Sequence, residues 1–395
     1  MSKNSISARE VLPEEKYQSF IGEQHDHTRR TLDATGASFV ETIIKPSDLW
    51  QSVDIAVEEN FVEKREIPSL PNYYLFDRDG GARFIEECMQ LGLSGIMLRP
   101  TSTAKQDGRH VSEDAMRRAV DNTAAIVSMV KDRMGQHALA VDPFDLLDLR
   151  GPTWGVFGKG AQRNRIDSTR TYDAIAHMAA VIGQARADIF MTIGRLREEV
   201  LVARASLDKH APSTKLGSFP ANNETRLAYS HACHTDSVHR CSQQKIPVGN
   251  FHEMVVRTLA DMAEGVELAL TKPSSNTHVN ALLTELLSGE TALDSYLQRA
   301  EVQTLLDLDP MLAKHIEKFR ERQAAIMESV KIGSYVVSGT YAYWRSLKGQ
   351  LSYTLAHEHY SNAVAASRPL FGCIADRFAH QFVKYQNYWG TPEGY

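Results

Sequence analysis

The chain has 395 residues, of which 43% are hydrophobic and 24% are charged, and its formal net charge is −5. This composition excludes disordered and collagen-like chains, and the negative charge gives no overall basic field that would attract nucleic acid or an anionic membrane. Apolar runs stay shorter than the ~18 residues that cross a bilayer, and the first ten residues lack the apolar stretch of a signal peptide, so we expect a cytoplasmic protein.

Residues 1–65 are charged and weakly patterned, and they predict an N-terminal arm. After Pro71, short apolar runs alternate with longer helical patterns. One helical pattern follows Ser112, a favourable N-cap, and has Glu113 and Asp114 in its first turn. The runs short enough for buried strands are residues 95–98, 138–142, 187–191, 215–219, 266–271 and 334–338. Since parallel neighbours need a crossover connection, this alternation predicts an α/β fold, a (β/α)8 TIM barrel over residues 66–395.

Residues 287–331 interrupt the alternation with two helical patterns on either side of Asp309 and Pro310. The second pattern, from Met311 to Val330, is rich in Lys, Arg and Glu and has a sparse apolar stripe. An inserted helical hairpin with a solvated face accounts for this pattern. A lid over the barrel or a contact between subunits is the functional alternative.

Chemistry in barrel enzymes lies at the carboxyl ends of the strands, where the runs meet Arg99, Asp142, Lys272 and Ser338. Lys272 stands between an apolar run and the strand-breaking Pro273. Partial burial there disfavours the ammonium form, and a neutral amine can attack a carbonyl to form a Schiff base. A surface lysine beside a turn is the alternative interpretation.

Two segments are similar to motifs of a known family. Residues 264–273 read Glu-Gly-Val-Glu-Leu-Ala-Leu-Thr-Lys-Pro, and residues 335–342 read Tyr-Val-Val-Ser-Gly-Thr-Tyr-Ala. They resemble the porphobilinogen synthase (5-aminolevulinate dehydratase) family, and weaker matches extend the resemblance over about residues 65–345. The resemblance implies a TIM barrel and a lyase in which Lys272 forms the Schiff base. It also implies that Ser338 helps to hold a substrate carboxylate, and we expect Tyr341 to share that task.

The sequence departs from the family pattern at several positions. Asn222 stands where the family has a second Schiff-base lysine, and an amide nitrogen cannot form an imine, so Asn222 is expected to bind substrate noncovalently. Asp142 keeps its place at a strand end, where it is predicted to move protons or to cap the local backbone. The three zinc-binding cysteines of the family are replaced by side chains that cannot bind zinc, so we expect no metal and no cofactor. Those replacements are Phe144, Leu146 and Trp154.

Arginines replace an acidic signature that the family carries after one of its strands. Arg195 and Arg197 are predicted to bind substrate carboxylate or phosphate, or alternatively to pair with Glu198 and Glu199. Arg240 lies where the family has a flexible lid, and the resemblance implies that it contacts a second substrate. No standard metal-ligand spacing occurs in the nearby cluster Cys233, His234, His239 and Cys241. A metal site and a polar loop are both compatible with that cluster.

The favoured function is a divergent enzyme of this type, in which Lys272 binds a small keto or oxo carboxylate covalently. A condensation, an aldol-type step or a dehydration would follow, outside haem synthesis. One alternative is a genuine 5-aminolevulinate dehydratase that works with one lysine, and another is a noncatalytic homologue that binds a ligand or partner. The expected partners are a small carboxylate-bearing keto or amino-keto substrate and further copies of the chain joined through the N-terminal arm, with no nucleic acid or membrane.

Overall fold

The computed structural model describes residues 44–68, 70–103, 112–147, 155–156, 158, 166–192, 196, 198–221, 246, 249–347 and 350–389. The strands in this part of the chain are β1 (Leu49–Ala56), β2 (Arg65–Glu66), β3 (Tyr74–Phe76), β4 (Gly95–Thr101), β5 (Ala138–Val141), β6 (Ile189–Thr192), β7 (Lys215–Ser218), β8 (Leu268–Thr271), β9 (Lys331–Tyr335) and β10 (Phe371–Asp376). All except β2 and β3 form a closed parallel barrel, in which β10 pairs with β1. The antiparallel pair β2 and β3 lies beside the carboxyl end of β1.

Helices surround the barrel and connect its strands. They are α1 (Arg78–Gln90), α2 (Glu113–Met134), α3 (Ser168–Gln184), α4 (Glu199–His210), α5 (Phe251–Ala263), α6 (Thr277–Ser288), α7 (Glu290–Leu297), α8 (Ala300–Leu308), α9 (Pro310–Ser329), α10 (Ser338–Ser346), α11 (Leu351–Ser367) and α12 (Ala379–Trp389). The helix predicted after Ser112 is α2, and the Ser112 side chain accepts a hydrogen bond from the Ala115 N–H at 3.2 Å. Among the described helices, none combines the length and apolar character that a membrane span needs.

The predicted TIM barrel is confirmed, and each of the six predicted runs overlaps a barrel strand. The two remaining barrel strands, β1 and β10, were not predicted. Strand β1 lies within the range assigned to the arm, so the barrel begins before residue 66. It is buried along its whole length, but Gln51, Ser52 and Asp54 interrupt the apolar run that usually marks such a strand. The fold satisfies these polar groups internally; for example, Gln51 Nε2 donates to the Arg377 carbonyl at 2.9 Å.

Helices α7, α8 and α9 occupy most of the range predicted as an inserted hairpin. The longest, α9, packs against α5 and buries Leu312, Ile316 and Phe319. His315 Nδ1 and Lys318 Nζ lie 2.7 and 2.5 Å from the carboxylate of Glu264, at the end of α5. The inserted segment therefore packs on the outer wall of the barrel through α5, and a role as lid or subunit contact stays a prediction.

Candidate active site

Lys272 is the first residue after β8, and its amine contacts two aromatic rings. Lys272 Nζ is 4.4 Å from the centroid of the Phe219 ring and 5.2 Å from the centroid of the Tyr335 ring. The two rings meet edge to face, with their centroids 5.2 Å apart. Only 8% of the Lys272 surface is exposed. Because aromatic faces attract a cation and also exclude water, the amine has a largely dry surrounding on this side.

The backbone on either side of the Lys272 side chain is held by hydrogen bonds. Its N–H donates to the Ala221 carbonyl at 2.8 Å, and its carbonyl accepts from Asn276 Nδ2 at 3.2 Å. Two residues further on, the buried Ser274 hydroxyl lies 2.5 Å from His359 Nε2. Burial lowers the pKa of His359 to about 4, so the imidazole is neutral near pH 7. A neutral imidazole nitrogen can accept a hydrogen bond from the Ser274 hydroxyl. These contacts fix the start of the loop that carries the lysine.

A buried arginine holds the predicted proton-transfer residue Asp142 in place. Arg99, on β4, points its guanidinium at three carboxylates: Nε is 3.5 Å from Asp142 Oδ2, Nη1 is 3.6 Å from Asp54 Oδ1, and Nη2 is 2.8 Å from Asp145 Oδ2. The three carboxylate-bearing residues are each at most 7% exposed. Asp145 thus forms an ion pair with Arg99. Buried charges of opposite sign offset part of the desolvation that each would suffer alone.

Asp54 is further fixed by two hydroxyl groups. The Tyr73 hydroxyl donates to Asp54 Oδ2, and the Thr101 hydroxyl donates to Asp54 Oδ1 at 3.0 Å. Burial raises the pKa of Tyr73, and the charge of Asp54 raises it further, so this phenol remains protonated and serves as a donor.

The Tyr335 ring joins the lysine to the carboxylate cluster. Burial raises the pKa of its phenol, which also feels the charges of Arg99, Asp142, Lys272 and Asp54. Both cations and both carboxylates therefore lie close enough to this one ring to act on it. The amine of Lys272, the carboxylate of Asp142 and the phenol of Tyr335 thus converge at the carboxyl end of the barrel, where barrel enzymes carry their active sites.

The two residues predicted to hold a substrate carboxylate lie on the helix after β9. Ser338 begins α10 and is 5% exposed, and Tyr341 is fully buried one turn later. The Tyr341 hydroxyl donates to the Pro71 carbonyl at 2.7 Å, so it ties α10 to the segment before β3. Burial raises the pKa of this phenol. The Tyr341 hydroxyl proton is thus already donated to the Pro71 carbonyl in this structure. The substrate-binding role of Tyr341 stays a prediction.

Several predicted residues lie outside the described part of the chain. They are Asn222, Arg195, Arg197, Arg240 and the cluster Cys233, His234, His239 and Cys241. Of the positions that replace the family's zinc cysteines, Leu146 is buried and apolar. In the described ranges no three His, Cys, Asp or Glu side chains come together as a metal site would require. The apolar side chain of Leu146 supplies no zinc ligand.

Sequence reasoning missed Asp54, Tyr73, Phe219, Tyr335 and Arg377. One pattern in the sequence could have indicated two of them. Side chains of a barrel strand point alternately inward and outward, and a charged residue at an inward position suggests a functional site, as with Asp54 on β1 and Arg377 directly after β10. Arg377 stacks near Tyr73 and Tyr335, with its guanidinium carbon 5.2 and 5.9 Å from the ring centroids.

A family model and solved structures both match the chain. The family model for delta-aminolevulinic acid dehydratase matches residues 24–279. Among solved structures, delta-aminolevulinic acid dehydratase (porphobilinogen synthase) from Toxoplasma gondii ME49, in complex with its reaction product porphobilinogen, is similar over 93% of each chain, with a TM-score of 0.68 and 16% sequence identity. At this identity the structural likeness shows a common fold. No curated protein matches the chain.

Proposed function

Because this chain belongs to the delta-aminolevulinic acid dehydratase family, we propose that it is a lyase that forms a Schiff base between Lys272 and a small keto or oxo carboxylate. A condensation, an aldol-type step or a dehydration follows. The replacement of the family's second lysine by Asn222 supports a role outside haem synthesis, because only one reactant can then be held covalently.

The observation that carries this proposal is the position of the Lys272 amine. It is buried at the carboxyl end of a barrel strand and contacts the rings of Phe219 and Tyr335. A lysine that served only as a surface charge would extend into water. Restricted access to water also protects an imine from premature hydrolysis.

The chemistry assigns a task to each group. The unprotonated form of the Lys272 amine attacks the carbonyl carbon, loss of one water molecule leaves an imine, and one proton taken up from solvent gives the protonated imine. This imine withdraws electrons from the adjacent carbon, whose proton Asp142 accepts and later returns. Ser338 and Tyr341 bind the substrate carboxylate.

The proposal also includes predicted residues that lie outside the described ranges. Arg195, Arg197 and Arg240 bind anionic groups of the substrates, and Asn222 contacts the second reactant without a covalent bond. The part of the predicted arm that precedes strand β1 joins copies of the chain into a homo-oligomer. Light scattering of the full chain and of a chain lacking residues 1–43 tests the oligomer, since the described barrel strands all lie beyond that cut.

Borohydride trapping tests the Schiff base directly. The protein is incubated with a panel of small oxo acids that includes 5-aminolevulinate, reduced with borohydride, digested and weighed by mass spectrometry. We expect a stable adduct on the peptide that contains Lys272. Lys272→Met should abolish this adduct. Lys215→Met should retain it, because Lys215 is exposed at the amino end of strand β7, away from the carboxyl end where Lys272 lies.

Two outcomes would favour the alternatives. Absence of any adduct on Lys272 across the panel would contradict the proposal and favour a noncatalytic binding protein. An adduct accompanied by pyrrole formation from 5-aminolevulinate alone, read by a colorimetric assay, would identify a genuine 5-aminolevulinate dehydratase that works with one lysine.

A further inference from the structure

A cavity of about 750 Å³ lies between strand β3, helix α1 and helix α12, within the range of small-molecule sites. One wall is a continuous row of rings: Phe76 stacks on Phe84 with centroids 5.0 Å apart, and Phe84 meets the His380 ring at 4.8 Å. The exposed side chains of Lys64 and Arg83 lie at its rim. The cavity thus combines a flat apolar wall with a polar entrance.

Arg377 is the most deeply buried charged residue that lines this cavity, at 2% exposure. Within the described part of the chain, its Nε and Nη1 atoms have no hydrogen-bond partner, and none of its atoms forms an ion pair. A buried guanidinium without an anion carries an uncompensated desolvation cost. The rings of Tyr73 and Tyr335 offset part of that cost but leave Nε and Nη1 without a hydrogen-bond acceptor.

The buried or half-buried carboxylates around the cavity are engaged elsewhere. Asp77 accepts a hydrogen bond from the Gly80 N–H at 2.6 Å as the cap of α1. Glu87 pairs with Lys384 and lies 3.1 Å from His380 Nε2. No described carboxylate that lines the cavity forms an ion pair with Arg377.

This cavity adjoins the Lys272 site but has a different lining. Among the described residues that line it, Tyr73 and Arg377 also contact the groups around the barrel mouth, whereas Lys272, Asp142 and Tyr335 do not line it. Its lining residues come from strands β1 and β3, helices α1 and α12 and the residues next to them.

We propose that this cavity is a second small-molecule site, which binds a flat organic anion with its carboxylate or phosphate on Arg377 and its ring against Phe76 and Phe84. A guanidinium forms paired, charge-assisted hydrogen bonds with such groups, and a planar ligand extends the row of stacked rings. The site does not depend on the chemistry proposed for Lys272.

Calorimetric titration of the full chain tests the proposal with four probes: benzoate, phenyl phosphate, the neutral isostere benzamide, and inorganic phosphate. We expect benzoate and phenyl phosphate to bind at least about tenfold more tightly than benzamide, which lacks the charge, and than inorganic phosphate, which lacks the ring. Equal affinity for benzoate and benzamide, tighter binding of inorganic phosphate than of phenyl phosphate, or no binding of benzoate at millimolar concentration would overturn the proposal.

Variants locate the site. Arg377→Met should remove the preference for benzoate over benzamide, whereas Arg345→Met should keep it, because Arg345 also lies over an aromatic ring but does not line the cavity. If Arg377→Met does not fold, Phe84→Ala provides the second test and should weaken benzoate binding. Lys272→Met should leave benzoate binding unchanged, and loss of binding there would place the ligand in the barrel mouth and refute the second site.

Discussion

Replacement of Arg99 by methionine tests whether the barrel mouth depends on its buried ion pairs. The guanidinium lies within 3.6 Å of carboxylate oxygens of Asp54, Asp142 and Asp145, and its side chain is only 13% exposed. Loss of one partner of a buried ion pair typically costs about 3–5 kcal/mol, since the remaining charge stays buried. Methionine keeps much of the aliphatic volume but supplies no charge. We therefore expect Arg99→Met to lower the free energy of unfolding by about 3–5 kcal/mol.

Urea denaturation at pH 7, followed by circular dichroism, measures this change. The matched control is Arg186→Met: Arg186 also pairs with a carboxylate, Asp132, at 2.6 Å, but both side chains are more than half exposed. That surface pair should contribute no more than about 1 kcal/mol.

A double-mutant cycle assigns the energy to a specific partner. Asp145 makes the shortest contact with Arg99, at 2.8 Å, so Arg99→Met and Asp145→Asn should couple by about 1–3 kcal/mol. If the two changes are additive, or if Arg99→Met costs no more than the Arg186 control, the argument that Arg99 compensates the buried carboxylates is wrong.

Two further predictions concern stability. Burial raises the pKa of Asp376 to about 7 from its ordinary 3.8. Because the folded pKa lies above the unfolded one, the stabilising effect of this protonated group is complete below about pH 3.8 and is lost as the pH rises through 7. Asp376→Asn stays uncharged and keeps a partner for the Tyr360 hydroxyl. Between pH 4 and pH 8, its free energy of unfolding in urea titrations should therefore rise by up to about 4 kcal/mol relative to that of the parent protein. A difference that does not change with pH would contradict this. Gly333→Ala should destabilise the barrel by about 1–3 kcal/mol in thermal unfolding, because the added Cβ would lie 2.4 Å from the Cys373 carbonyl oxygen, whereas Gly289→Ala meets no atom within 4 Å and should be nearly neutral. Similar effects of the two alanines would refute the steric account.

The architecture was predictable where strands carry apolar runs. Strands β4 to β9 overlap the predicted runs because each carries a short stretch of buried residues that is mostly apolar or small. Strand β1 could not be found in this way, since the fold rather than the local sequence supplies the partners of Gln51 and Asp54. A strand that contains several polar residues shows neither the apolar run nor the alternation that would distinguish its sequence from that of a loop.

The site was predictable only in part, for a related reason. Lys272 and Asp142 follow apolar runs directly, and their place at strand ends can be read from the sequence. The aromatic contacts of the lysine come from Tyr335, the last residue of β9, and from Phe219, the first residue after β7, and these two strands flank β8. Which residues become such neighbours depends on strand order and register, and neither can be inferred from the spacing of residues along the chain.

The short segment between β2 and β3 has a consequence for attempts to redesign this protein. Tyr73 bonds to Asp54 on the first barrel strand, and the Pro71 carbonyl accepts from Tyr341 on the helix after β9. This one segment therefore connects strand β1, at the start of the barrel, with helix α10, near its end. Loop grafts or randomised libraries that alter residues 71–73 would loosen both units together, whereas diversity introduced at the exposed positions 62–64 leaves both tethers intact.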